Sequence, residues 1–176
     1  MIFDQIIIGG GPAGVAAGVY AARKKLRTLF LTTDFGGQSS VSSEIQNWIG
    51  TKAISGEELA EQLREHLFAY KSSDFVIKDG EKVINIIQKE KDFVVSSENG
   101  ENFESRAVLI TTGAMRRKLE IPGAKEFEQK GITYCATCDG PLFSDQDVVV
   151  IGGGNAAFET AAQLLAYCRS VTLVHR

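Results

Sequence analysis

The 176-residue sequence is 44% hydrophobic and 23% charged, enough apolar material for one or two packed domains and too much for a disordered chain. Nineteen Lys and Arg stand against 22 Asp and Glu, and the net charge of −3 excludes a basic field that would hold nucleic acid or an anionic membrane surface. No stretch reaches 18 consecutive apolar residues, and Met1 leads straight into Ile2, Phe3 and Asp4 without a cationic leader, which predicts a cytoplasmic protein with no membrane span.

In chain order, the apolar residues 5–8 run into Gly9-Gly10-Gly11-Pro12-Ala13-Gly14 and then an alanine-rich stretch to Arg23, the pattern of strand, turn and helix. Residues 26–32 are apolar and β-prone, so they predict a second strand, parallel to the first in a βαβ unit. Ser55 and Glu58 form a capping box, and Leu59, Leu63 and Leu67 recur every four residues, predicting an amphipathic helix that reaches Tyr70. Residues 75–103 hold short β-prone runs (FVI, KVINIIQ, DFVVSS) broken by Asp79-Gly80, residues 89–91 and Asn99-Gly100, which predict an antiparallel meander. Residues 107–112 predict a buried strand. After Pro122 the opening pattern returns, with a strand over 148–151, the turn Gly152-Gly153-Gly154, a helix over 155–168 and a strand over 171–174.

The fold class these elements predict is α/β, with two Rossmann-like, three-layer ββα dinucleotide-binding domains. The first covers residues 1–114, residues 115–121 (MRRKLEI) form a hinge, and residues 122–176 begin the second. So short a second segment buries too little surface for a whole nucleotide cleft, and the expectation is a fragment of a chain roughly 300 residues long.

Gly9, Gly11 and Gly14 make a GxGxxG, whose glycines permit the tight turn, the backbone approach to a pyrophosphate and the close packing of helix on strand. The second strand ends in Thr32-Thr33-Asp34, so contact with a ribose falls to Asp34 or to the hydroxyls. Gly152, Gly154 and Ala157 make a GxGxxA, and His175 and Arg176 lie 23 and 24 residues beyond Gly152, where the second strand delivers the side chains that read the adenosine ribose. A cation there favours a 2′-phosphate and hence NADP over NAD; the plainer alternative is a solvated strand end.

Of three cysteines, Cys135 and Cys138 form a CxxC followed directly by Asp139. Cys168, His66 and His175 lack zinc-site spacing and no second CxxC exists, so no metal is expected. A redox dithiol is the stronger reading, in which one thiolate attacks, the other resolves and Asp139 supplies or accepts the proton. Cys168 reads as a packing residue and His66 as a helix-surface residue. Arg116-Arg117-Lys118 is a short cationic run, either solvated or positioned to steer an acidic partner.

Taken together, GGGPAG at 9–14, GGQ at 36–38, QNWIG at 46–50, TTGA at 111–114, CATCDG at 135–140, GGGNAAFE at 152–159 and VTLVHR at 171–176 resemble the low-molecular-weight thioredoxin reductases along the whole chain. The placement of CATCDG ahead of the second glycine turn is specific, because the related glutathione reductase group carries its redox pair in the flavin domain. GITYCATCDGPLF also resembles the flavoprotein component of alkyl hydroperoxide reductase.

The resemblance implies FAD in the first domain, with Gly9, Gly11, Pro12, Ala13 and Gly14 at the pyrophosphate, Gly36, Gly37, Gln38 and Asn47 near the ribityl chain and ring, Val83 beside the adenine, and Thr112 and Gly113 in the family's ATG motif. Thr111 stands where alanine is usual, and Ser39 where leucine is common. NADPH is implied at Gly152, Gly154, Asn155, Ala156, Ala157, Glu159, His175 and Arg176.

The implied chemistry passes electrons from NADPH through FAD to a Cys135/Cys138 disulfide and on to thioredoxin or a thioredoxin-like small redox protein. Asp139 would be the general acid and Cys138 the sulfur nearer the flavin. The resemblance further implies a homodimer and a rotation of the second domain about its hinge, and it includes a closing FAD segment that is absent here. A peroxiredoxin reductase or small-molecule dithiol oxidase of the same fold, and a truncated non-catalytic remnant, are the alternatives.

Overall fold

The computed structural model describes residues 2–114, 117–128 and 130–175. It divides into two units, one of Met1–Ile45 with Ile54–Met115 and one of Gln46–Ala53 with Arg116–Arg176. Within the expected hinge, Met115 and Arg116 lie outside the described residues.

In the first unit the chain runs β1 (Ile2–Phe3), β2 (Gln5–Gly10), α1 (Pro12–Arg23), β3 (Thr28–Phe35), α2 (Gly56–Phe68), β4 (Phe75–Asp79), β5 (Val83–Gln88), β6 (Phe93–Ser97), β7 (Asn102–Ser105) and β8 (Val108–Ile110). Among the described residues one sheet has the order β4-β3-β2-β8, every pair parallel, and a second has the order β1-β7-β6-β5. The isoleucines of β2 explain the layering, because successive strand side chains point to opposite faces. Ile7 joins Phe30, Phe75, Ile77, Val15, Val19 and Leu67 under the two helices, while Ile6 and Ile8 join Leu29, Leu31 and Val95 beneath the second sheet. The parallel sheet is thus covered on both faces, giving helices, sheet and sheet as three layers. α2 begins where the capping box places it, with Ser55 Oγ accepting the Glu58 N–H at 3.1 Å.

Several expectations are corrected. The FVI run is β4, paired parallel with β3 in register Thr28↔Phe75, and is no part of a meander. Its residues serve both layers, Phe75 and Ile77 beneath the helices and Val76 beneath the second sheet, which a hairpin with one wet face would not need. The strand expected as buried over 107–112 is the edge strand β8, with Leu109 41% and Ile110 62% exposed. β3 runs on to Phe35 because a register shift between Ile8 and Gly10 sets Gly10 opposite Phe35. α2 ends at Phe68, two residues before Tyr70.

The second unit contains α3 (Ala136–Asp139), β9 (Asp147–Ile151), α4 (Asn155–Leu164) and β10 (Ser170–Val174), with β9 and β10 parallel in register Val148↔Val171. α4 stops at Leu164 and not Cys168, because the carbonyl of Leu164 turns the chain by accepting both the Tyr167 and the Cys168 N–H. Among the described residues no helix is long and apolar enough to cross a membrane.

The start of β9 is tied to β10 by Asp147, which accepts Arg169 Nε at 3.0 Å and Ser170 Oγ at 2.7 Å. Hydrogen bonding from Arg169, then from Ser170, holds the Asp147 carboxyl down to about 2 from 3.8. A depressed carboxyl contributes its stability above the unfolded value, and the contribution is lost as pH falls through the folded one. The protection factors of the β9 and β10 amides, with the intrinsic exchange rate at each pH divided out, should therefore fall as pH drops from about 4 to about 2. Asp147→Asn should flatten that dependence in hydrogen-exchange measurements. With both side chains more than half exposed, the effect stays local to this strand end.

Candidate functional site

The first glycine turn is shaped by close approaches. Gly9 has φ +117°, and a Cβ there would lie 2.5 Å from the Thr111 carbonyl oxygen. A Cβ on Gly14 would run into the Gly9 carbonyl and come within 2.7 Å of Thr111 Oγ1. Thr111 Oγ1 itself donates to the Ile8 carbonyl at 2.8 Å and reaches the Gly9 carbonyl at 3.2 Å. The residue that departs from the alanine of the resembling motif thus satisfies backbone acceptors at the end of β2. A hydroxyl beside the glycine turn was the available signal.

Gly11 is the N-cap of α1, has no side-chain cap and has no acidic residue in the turn that follows. A Cβ on Gly11 would meet nothing within 4 Å. α2 differs, because Ser55 caps it and Glu57 and Glu58 fill its first turn. The start of α1 therefore has neither a side-chain cap nor an acid in its first turn, and open space beside Gly11, which fits a dinucleotide pyrophosphate. Gly36 closes onto this turn by donating its N–H to the Gly10 carbonyl at 3.0 Å, and a Cβ on Gly37 would sit 3.6 Å from the Gly11 Cα.

The structure thus brings Gly9, Gly11, Pro12, Ala13, Gly14, Gly36 and Gly37 together around the start of α1. Thr112 and Gly113 are exposed just after β8, Gln38 is exposed beside Gly37, and Val83 is half-buried against the cluster beneath the second sheet. Asn47 is exposed and falls in the segment grouped with the second unit. Thr32 is buried, and its hydroxyl is engaged with the Asp34 backbone, so Thr33 and Asp34 are the exposed groups at that strand end. They line an open cleft of about 480 Å³ with Glu57, Glu61, Arg64 and Asp79.

The second glycine turn repeats the arrangement. Gly152 has φ +145° and sits against Ala157, where a Cβ on the glycine would lie 3.1 Å from the alanine Cβ. α4 likewise starts at a glycine N-cap, Gly154, with no side-chain cap and no acid in its first turn. Asn155, Ala156 and Glu159 are exposed on α4. His175 is exposed at the end of β10 and packs beside Gly153, where a Cβ would lie 2.8 Å from His175 Nδ1. Arg176 lies outside the described residues.

Cys135 and Cys138 are joined in a disulfide at the start of α3, with Cys135 as N-cap and its Sγ accepting the Cys138 N–H at 3.3 Å. Asp139 is 8% exposed and donates its N–H to the Cys135 carbonyl at 2.9 Å. Thr133 Oγ1 donates to the Asp139 carboxylate and accepts the Cys135 N–H at 3.5 Å. One turn of helix is marginal on its own. α3 is also tied to α4 by Thr137 Oγ1, which donates to Gln163 Oε1 at 3.0 Å, and by Gly140 lying against Leu164 and Tyr167. Thr133, Thr137 and Gln163 were not anticipated from sequence, where only the sulfurs and the acid carried an obvious chemistry. Among the described residues no group of three or more His, Cys, Asp or Glu side chains is placed to hold a metal ion.

The chain is 42% identical over 171 residues to an alkyl hydroperoxide reductase component of Staphylococcus epidermidis, and 40% identical over 172 residues to an NADH dehydrogenase of Bacillus subtilis. These alignments cover 97% and 98% of this chain, which spans about a third (33%) of the length of each relative. The solved thioredoxin reductase of Streptococcus pyogenes superposes with a TM-score of 0.88 at 37% identity, over 99% of this chain and 56% of that one. The family model for pyridine nucleotide-disulphide oxidoreductases matches residues 3–176, reaching across both units, and the chain belongs to that family.

Proposed function

We propose that this chain is the flavin-binding and dithiol-bearing part of an NADPH-dependent flavoprotein disulfide reductase of the thioredoxin reductase type. The observation that carries this reading is the Cys135–Cys138 disulfide, set beside the buried Asp139 in the unit that also holds an uncapped glycine-turn helix. FAD, when bound at the first turn, supplies the two-electron relay between a nicotinamide and the disulfide. Gly11 and the opening N–H groups of α1 would hold its pyrophosphate, and Gly154 and the opening of α4 would hold that of NADPH.

Opening the Cys135–Cys138 bond takes two electrons and two protons and leaves two thiols, with Asp139 as the proton carrier at the motif. The reduced pair then passes its electrons to a thioredoxin-like protein through a mixed disulfide, one sulfur attacking and the other resolving. Because the disulfide and the second turn share one unit, rotation of that unit about residues 115–121 would present each in turn to a flavin held at the first turn. The reading carries with it the reducing setting of the cytoplasm, where such a pair cycles, and a homodimer.

A second reading is supported by the 42% identity to the alkyl hydroperoxide reductase component together with the 40% identity to the NADH dehydrogenase: the same dithiol serving a peroxiredoxin, with NADH as donor. Absorption spectra of the purified chain with FAD, before and after anaerobic NADPH or NADH, test both. Yellow protein bleached by NADPH supports the first reading, bleaching by NADH alone supports the second, and failure to retain flavin sinks both.

A further inference from the structure

We propose that Thr133 is a positioning residue for disulfide exchange, pinning Asp139 by Oδ2 and so reserving Oδ1 for the proton exchanged with the cysteine pair; this rests on the reading of Cys135 and Cys138 as a redox pair. The direction of each hydrogen bond follows from the groups involved. A backbone N–H only donates, so Thr133 Oγ1 accepts from Cys135 N. Its own hydroxyl hydrogen is then free to be donated, and the group it meets is Asp139 Oδ2. With Oδ2 engaged by this hydrogen, Oδ1 is the carboxyl oxygen left to take up or release a proton in the exchange.

The surroundings make the contact consequential. Asp139 stands four residues after Cys135, a spacing that puts both on one face of a helical turn. Its main chain is fixed by the bond to the Cys135 carbonyl at 2.9 Å, and its side chain is buried. Neighbouring Tyr134 turns the other way, its hydroxyl accepting the Leu119 N–H at 3.0 Å, so adjacent residues of one segment anchor different parts of the unit. The hydroxyl of Thr133 thus links the first cysteine to the acid, and its removal frees the carboxylate to rotate while leaving the sulfurs in place.

The test needs neither flavin nor nicotinamide. Dithiothreitol reduces the disulfide when one of its thiolates attacks a cysteine sulfur, the S–S bond breaks and the released cysteine sulfur takes a proton. The second reagent sulfur then attacks the mixed disulfide, so the reagent leaves as its cyclic disulfide and both cysteines end as thiols. Rates are followed by alkylation and intact mass on the full chain, with circular dichroism melts run beside them.

Thr133→Val should slow the reaction about tenfold and Thr133→Ser should stay within about twofold of the unchanged chain, because positioning of a proton carrier is worth roughly that much. Asp139→Asn should slow it at least as much, and adding Thr133→Val to Asp139→Asn should cost no more than Asp139→Asn alone. Where valine disturbs folding, Thr133→Ala takes its place against the serine variant. An unchanged rate in the valine or alanine variant, a failure of serine to preserve the rate, or losses that multiply in the double variant would each overturn the proposal. A chain that shows this coupling yet never retains flavin would lose the proposed reductase reading and keep this one.

Discussion

On the proposed reading, replacing either Cys135 or Cys138 by serine should abolish disulfide-coupled turnover, with a loss of about a thousandfold or more in the reduction of a disulfide substrate by NADPH and FAD. Serine keeps the size of cysteine but its oxygen forms no disulfide, so neither the internal bond nor the mixed disulfide with a partner is available to it. The two variants should fail differently. The Cys138 N–H already points at Cys135 Sγ at 3.3 Å, and the same bond favours a thiolate on Cys135 once the disulfide opens. On the proposed reading this hydrogen bond assigns the attack to Cys135 and the resolution to Cys138. Cys138→Ser should therefore accumulate a covalent complex with a thioredoxin-like substrate on a non-reducing gel, while Cys135→Ser should not. Turnover above about 1% in either variant would remove the dithiol from the reaction; trapping by Cys135→Ser instead would reverse the two roles.

The parts of this fold that were legible in the sequence are those whose signal is local. A glycine run between an apolar strand and an alanine-rich helix is fixed by short-range sterics, and α1 ends at Arg23 as expected. The capping box at Ser55 and Glu58 is a contact between residues three apart, and it stands in the structure. β4 was misread because FVI looks the same whether its partner is the next hairpin strand or β3, more than forty residues earlier in the chain. Only the presence of apolar groups on both of its faces separates the cases, and that depends on layers that the run itself does not encode. β8 was misread for the converse reason: an apolar run does not say whether a further strand lies beyond it.

At the candidate site, chemistry was legible and support was not. Cys135, Cys138 and Asp139 announce themselves by residue type and spacing. Thr133 does not, since a threonine in a β-prone stretch is unremarkable until its hydroxyl is seen to meet a carboxylate, and Thr111 stood out only as a departure from alanine, without the strand-end carbonyls it meets. The two glycine turns show the same division. Their motif specifies that a helix starts without a side-chain cap, and the geometry adds which glycine is closed in by neighbouring backbone and which faces open space.

That division yields a paired prediction for Gly14 and Gly11. Gly14→Ala places a methyl group against the Gly9 carbonyl and within 2.7 Å of Thr111 Oγ1, with backbone on the near side that cannot rotate away. Helix α1 must lift from β2, disturbing the packing of Val15 and Val19 on Ile7 and Phe30. Overpacking of this kind against backbone costs about 3 kcal/mol, which for a domain of this size lowers the melting temperature by roughly 10 °C. Gly11→Ala meets nothing within 4 Å and keeps a φ of −75° that alanine adopts freely, so its cost is that of a poorer N-cap, about 1 kcal/mol or less. The added methyl group nevertheless projects where a pyrophosphate would lie against the opening N–H groups of α1. Gly11→Ala should therefore melt close to the unchanged chain while its affinity for FAD, read by flavin fluorescence titration, falls about tenfold or more. Full FAD affinity in Gly11→Ala would remove the pyrophosphate from this turn. An unshifted melt in Gly14→Ala would show that α1 can sit further from β2 than the close approach at Gly9 requires.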